Sequence, residues 1–190
     1  MTDSGSDERV EAVVLDSLPN GRPDDTRPQY QKDPLAYALG VEDFRLYELT
    51  LTEEAHVLVG DRLLVEPRGE RDEVASARRI GFDDLPGAAR SELEYAVEEL
   101  IDADEERFVG FYNDAQPITL RLHQLNLLPG IGKKLRNDIL DERKRKPFES
   151  FEELTERVSG LHKPREVLAE RIAEELREDD LKYRIFVRGE

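Results

Sequence analysis

Residues 128–134 read Leu128-Pro129-Gly130-Ile131-Gly132-Lys133-Lys134. Ile118, Leu122 and Leu125 recur at helical spacing before this stretch, and Ile131, Leu135 and Ile139 recur after it. The pattern predicts a hairpin between two helices. Glycines allow the tight turn and bring backbone N–H groups, which have no partner at a helix start, up against an anion. Lys133 and Lys134 then flank that anion. A phosphate-binding turn is the first expectation.

The surroundings sharpen it. The formal charge is −16, from 44 acidic and 28 basic residues, and only 7 of the basic residues are lysine. Thr119 to Pro147 reverses the sign: Arg121, Lys133, Lys134, Arg136, Arg143, Lys144, Arg145 and Lys146 stand against Asp138, Asp141 and Glu142. An acid-rich, lysine-poor surface resembles that of proteins working in molar salt, where charge repulsion is screened within about 3 Å. A halophilic source is expected. The chain has no cysteine, and His56, His123 and His162 lack metal-ligand spacing. No metal or cofactor is expected. No apolar run reaches the roughly 20 residues that span a bilayer, and Met1 to Val10 does not resemble a signal peptide. A cytoplasmic location without membrane contact is expected.

Along the chain, residues 1–8 have the composition of a disordered tail. Val10 to Leu15, Phe44 to Leu51, Arg62 to Val65 and Glu73 to Ile80 read as strands, with a long loop from Ser17 to Pro34. Short strands with turn signals suggest an OB-like β-barrel over 9–83. Arg22, Arg27, Tyr30 and Lys32 in the loop are candidates for contact with an oligonucleotide, against a plain linker as the simpler reading. Residues 84–117 form a connecting helical region, in which Leu93, Ala96, Val97, Leu100 and Ile101 mark an amphipathic helix. Phe108, Phe111 and Tyr112 read as core more readily than as a base-stacking platform. Helices follow at Leu135 to Lys146 and after a capping box at Ser150 and Glu153, then a fourth on Leu168, Ile172 and Leu176. A C-terminal strand is expected over 181–190, where Tyr183, Ile185 and Val187 alternate. The fold class is therefore α+β.

These residues resemble a tandem helix-hairpin-helix module, over 118–180. Leu128 to Gly132 is similar to its first hairpin, and Pro147 to Leu154 to the connector leading to its second. The resemblance implies that Gly130, Ile131, Gly132 and Lys133 hold a nucleic-acid phosphate without reading bases; Lys134 and Arg136 complete the candidate set. Arg136 stands where that family prefers a small residue, either adding a phosphate ligand or altering helix packing. In the second hairpin Gly160 is retained but His162 replaces the second glycine, which favours a structural role there. The whole chain looks like the archaeal family labelled domain of unknown function 655, regarded as predicted RNA-binding proteins set near ribosome and transcription components.

The expectation is a non-catalytic nucleic-acid-binding protein, with RNA favoured over DNA. The alternatives are a DNA-binding repair or recombination accessory protein, or a ribosome- or transcription-associated protein-interaction module. No nucleophile and base constellation is visible, and Gly-Ile-Gly-Lys-Lys lacks the spacer and hydroxyl of a nucleotide-hydrolysing phosphate loop. An enzyme is not expected.

Overall fold

The computed structural model describes residues 8–189. Two compact units, Met1–Ala96 with Val187–Glu190 and Val97–Phe186, divide inside one helix, α1 (Gly87–Ala103). Of the expected tail, all but Glu8 lies outside the described residues. No helix among them is long and apolar enough to cross a membrane.

The first unit is built on β1 (Val10–Leu18), β2 (Leu35–Gly40), β3 (Leu46–Leu51), β4 (Arg62–Glu66) and β5 (Val74–Ile80). They form one curled sheet in the order β4-β1-β2-β3-β5, every neighbouring pair antiparallel. Alternation places Ala12 and Val14 of β1 with Ala36, Ala38, Leu49, Leu51, Leu63, Val65 and Val74 in one buried cluster. Central strand β2 is buried at every position. That burial hides it from periodicity, because a strand covered on both faces is apolar throughout. The turn from β2 to β3 is tight: Gly40 N–H donates to Arg45 O at 2.7 Å and Phe44 N–H to Gly40 O at 3.2 Å. A Cβ at Gly40 would collide with the Asp43 carboxylate, so a larger residue here would displace Asp43 from its bond with Arg45 N–H.

The sheet is half of a barrel. β1 and β3 both run antiparallel to β2, so the outer strands β4 and β5 run in the same direction, and no ladder joins them among the described residues. Arg71 fills the seam instead. Its buried guanidinium donates to Val65 O on β4 at 2.6 Å and to Ala75 O on β5 at 3.5 Å. One side chain thus serves carbonyls on both outer strands. The C-terminal residues return to this unit, where Arg188 N–H donates to Asp43 O at 3.1 Å. The expected strand is not formed: 181–189 is irregular. Side chains serve its backbone at Tyr183, Ile185, Phe186 and Gly189, and the Arg188 N–H bonds another backbone group.

The second unit holds the end of α1, then α2 (Glu105–Asp114), α3 (Lys133–Arg145), α4 (Phe151–Arg157) and α5 (Pro164–Arg177). Phe108 and Tyr112 are buried in it, as expected. The Tyr112 hydroxyl donates to Pro164 O at 2.7 Å, and Asn113 exchanges two 2.8 Å bonds with the Phe148 backbone. Ser150 caps α4 by accepting from Glu153 N–H at 3.0 Å. Glu153 turns to Glu149 N–H at 2.9 Å, so only half of the expected capping box is made. Within 181–186, Glu175 accepts from Ile185 N–H at 2.8 Å and Phe186 N–H at 3.0 Å, Arg171 donates to Tyr183 O at 2.6 Å, and the Phe186 ring lies 5.1 Å from that of Phe111.

Ala38 pairs with Val14 and Tyr47 on its neighbouring strands and is fully buried. Ala38→Leu should overpack this layer, costing about 1–3 kcal/mol and lowering the melting temperature on the order of 2–10 °C. An unchanged melting curve would show that β2 is not a packed centre.

Candidate nucleic-acid interface

Leu128-Pro129-Gly130-Ile131 is a type II turn. Ile131 N–H donates to Leu128 O at 3.3 Å, proline holds the second position, and Gly130 at the third has φ +77°. That conformation favours glycine, and Pro–Gly is the residue pair that suits it. Gly132 then opens α3 as an N-cap with extended backbone and no side chain to serve the helix. The N–H groups of Gly132, Lys133, Lys134 and Leu135 consequently have no protein acceptor among the described residues. Gly130, Gly132, Lys133 and Lys134 are exposed, and a Cβ built at Gly132 meets nothing within 4 Å.

Ile131 has a different place. Its side chain is buried with Leu125, Leu128 and Ile139, so it seats the turn rather than facing a ligand. Arg136 is turned inward as well. Its Nη1 donates to Asn126 Oδ1 at 3.1 Å and its Nε to Asn137 Oδ1 at 3.2 Å. Asn126 Oδ1 also accepts from His123 N–H at 3.1 Å, and its Nδ2 donates to Ile131 O at 3.3 Å. Asn126, which sequence patterning did not single out, holds the hairpin from behind. Its signal was a carboxamide among leucines.

The element before the turn differs from expectation. Only Gln124–Leu127 is helical, as a 3-10 turn, and Pro117 to His123 is a small loop closed by a bridge between its ends. The Thr119 hydroxyl accepts from Arg121 N–H at 3.2 Å and Leu122 N–H at 3.0 Å, which diverts the backbone from a helix. The second hairpin closes through Leu161 N–H to Val158 O at 3.0 Å. A Cβ on Gly160 would lie 3.2 Å from Leu135 Cδ1, so this turn packs against α3 and its glycine serves that packing.

The basic cluster is less available than its count implies. Arg143 reaches into the fold to donate to Tyr112 O at 3.1 Å and Ala115 O at 3.0 Å, and burial lowers its pKa. Lys134 pairs with Asp138 at 3.4 Å while remaining largely exposed, and Arg145 with Glu142 at 3.3 Å. Lys133, Lys144 and Arg121 have no ion pair among the described residues. The hairpin borders an open groove of about 890 Å³, whose other wall comes from α5 through Glu170, Arg171, Glu174, Arg177 and Glu178. Three carboxylates stand there against two guanidiniums, and Arg171 is engaged with Glu174 and Glu175, so this wall is slightly acidic. An anion is therefore favoured on the lysine side of the turn and disfavoured on the α5 side. In the first unit, Arg22 is paired with Glu48 and Arg27 with Asp25, which leaves Tyr30 as the exposed aromatic of the loop.

A family model described as "Protein of unknown function (DUF655)" matches residues 8–188. The chain is 40% identical over 179 residues to "Uncharacterized protein MJ0038" of Methanocaldococcus jannaschii, covering 93% of this chain and 79% of that protein. It is similar to the crystal structure of Af1531 from Archaeoglobus fulgidus, with a TM-score of 0.86 and 42% identity over 94% of this chain and 99% of that one.

His123 provides a test of the hairpin base. It is buried, and its Nδ1 accepts from Leu125 N–H at 3.1 Å, which requires a ring unprotonated at that nitrogen. Burial, then the charges of Arg143 and Arg136, lower its pKa below the ordinary 6.5. On acidification the unfolded chain takes up this proton first. Stability from this group is thus complete above about pH 6.5 and declines as the pH falls toward the folded value. NMR titration of the imidazole should give a midpoint below 6.5; one at or above it would contradict this geometry.

Proposed function

The chain belongs to the DUF655 family, and from that premise we propose that it binds nucleic acid without turnover, RNA ahead of DNA, by holding a backbone phosphate on the first hairpin. The observation that carries the reading is the start of α3. Successive unpartnered amides lie in the open beside Lys133 and Lys134, on a turn braced by Asn126. Such an arrangement binds an anion by directed hydrogen bonds and by the positive end of the helix dipole. In this proposal 118–180 acts as a tandem helix-hairpin-helix module: the 3-10 turn with α3, and α4 with α5, each enclose a hairpin, the first open and the second packed.

Directed amide bonds suit a protein of this charge. Generic ion pairing to phosphates weakens steeply with salt, whereas hydrogen bonds at close contact are screened far less. The preference for RNA rests on the family resemblance, since amides holding a phosphate do not distinguish the two sugars. The acidic wall of α5 favours a second reading, a module that binds a basic protein partner such as a ribosomal or transcription component.

Binding of matched RNA and DNA oligonucleotides, single-stranded and duplex, should be measured in molar KCl. The wild type is expected to prefer RNA. The Cβ of Gly132→Val would meet no protein atom within 4 Å, so the variant should fold, yet weaken binding about tenfold or more, the worth of one or two charge-assisted bonds. Lys133→Ala/Lys134→Ala should weaken it in the same direction. A folded Gly132→Val variant with wild-type affinity would sink the phosphate site. Preference for DNA would support the repair or recombination alternative, and no binding at all the protein-interaction one.

A further inference from the structure

From Ala115 to Asn137 the chain carries no Asp or Glu, although 44 of its 190 residues are acidic. The run contains the phosphate hairpin near one end and the loop Pro117 to His123 near the other. That loop is ordered by its own hydrogen bonds. Ile118 and Thr119 N–H both donate to Leu122 O, at 2.8 and 3.0 Å, and the Thr119 hydroxyl serves Arg121 and Leu122 from the other side. At its base Gln124 N–H donates to Gln116 O at 2.9 Å, and Gln116 N–H to the Gln124 carboxamide at 2.8 Å.

The tip of this loop is Leu120, with a relative exposure of 106%. A lone exposed leucine is ordinary on a protein surface. Three things distinguish this one. It is held out on a hydrogen-bonded turn, its neighbour Arg121 is exposed with no ion pair among the described residues, and no carboxylate lies in the surrounding sequence. The loop is also fixed to the hairpin. His123, which closes the loop, donates its N–H to Asn126 Oδ1, and the same carboxamide donates to Ile131 O inside the turn.

We propose that Leu120 packs against the exposed face of an unpaired base in the RNA whose phosphate is held by the hairpin at 128–132. The proposal rests on the reading of that hairpin given above. It names the class of RNA recognised: a bulge, loop or strand end in place of an uninterrupted helix. In a continuous A-form helix the base faces are covered by stacking and the deep major groove excludes side chains, so an apolar tip gains little there. At an unpaired base the unstacking cost is already met, and an apolar wedge can cover the freed face. Arg121 then lies beside the backbone flanking that base.

The test uses the full chain in molar KCl and two blunt-ended RNA duplexes, one with a single bulged 2-aminopurine and one uninterrupted and fully paired. Affinity is read by anisotropy and base environment by 2-aminopurine fluorescence. Wild type is expected to prefer the bulged RNA and to change its fluorescence. Leu120→Ala, at a fully exposed position, should keep the wild-type melting temperature and its affinity for the paired RNA. It should bind the bulged RNA about five- to tenfold more weakly and lose the fluorescence response. Lys133→Ala/Lys134→Ala should weaken both RNAs alike. If Leu120→Ala matches wild type on both RNAs while the lysine variant is impaired, the wedge is wrong and the phosphate site stands. If wild type binds neither RNA, both fall, and Leu120 is left as a protein contact.

Discussion

The carboxamide of Asn126 is the constraint on which the candidate site depends. Its oxygen accepts from the His123 backbone and the Arg136 guanidinium, and its nitrogen donates to Ile131 O. One side chain therefore fixes the end of the 117–123 loop, the inner side of the hairpin and the first turn of α3. This bracing has a counterpart in what α3 lacks. A Ser, Thr or Asp cap would typically stabilise a helix start by about 1 kcal/mol and would occupy its free amides. Gly132 gives up that cap and leaves the amides in the open, while the support that positions them comes from behind.

Arginine does much of the internal work in this molecule. Arg143 closes the end of α2, Arg157 donates to Glu142 O and Lys146 O at the end of α3, and Arg184 donates to Glu175 O and Glu178 O at the end of α5. Arg71 does the same across the seam of the sheet. The fork of a guanidinium can meet several carbonyls at once, and its charge suits the negative end of a helix. An ammonium has neither the span nor the fixed geometry. The scarcity of lysine thus has a structural side. It also explains why the basic stretch overstates the charge offered to a ligand, since Arg136 and Arg143 are used internally.

The two hairpins are alike in their closing bond and opposite in their use. At the first, the space beside Gly132 is empty; at the second, the Cβ that Gly160 lacks would press on Leu135 of α3. Packing one turn against the neighbouring helix fixes the helices that carry the other. The buried Leu154, Val158, Leu161 and Leu168 form the apolar side of that support.

What the sequence determined by itself is what short-range chemistry dictates. Pro129 and Gly130 specify a type II turn, the spacing of Leu93 to Ile101 specifies α1, Ser150 marks the start of α4, and alternation marks β1. Each of these signals is complete within a few residues. Tertiary structure decided the rest. Strand β2 has no alternation because both its faces are buried, and 117–123 is a loop because the Thr119 hydroxyl outcompetes a helix. The segment 181–189 is held by Arg171 and Glu175 and not by a strand. Ile131 points inward, Arg136 turns to Asn126, and an acidic wall faces the hairpin across the groove. All of these depend on partners distant in the chain or on which face is covered, and a local pattern carries no information about either.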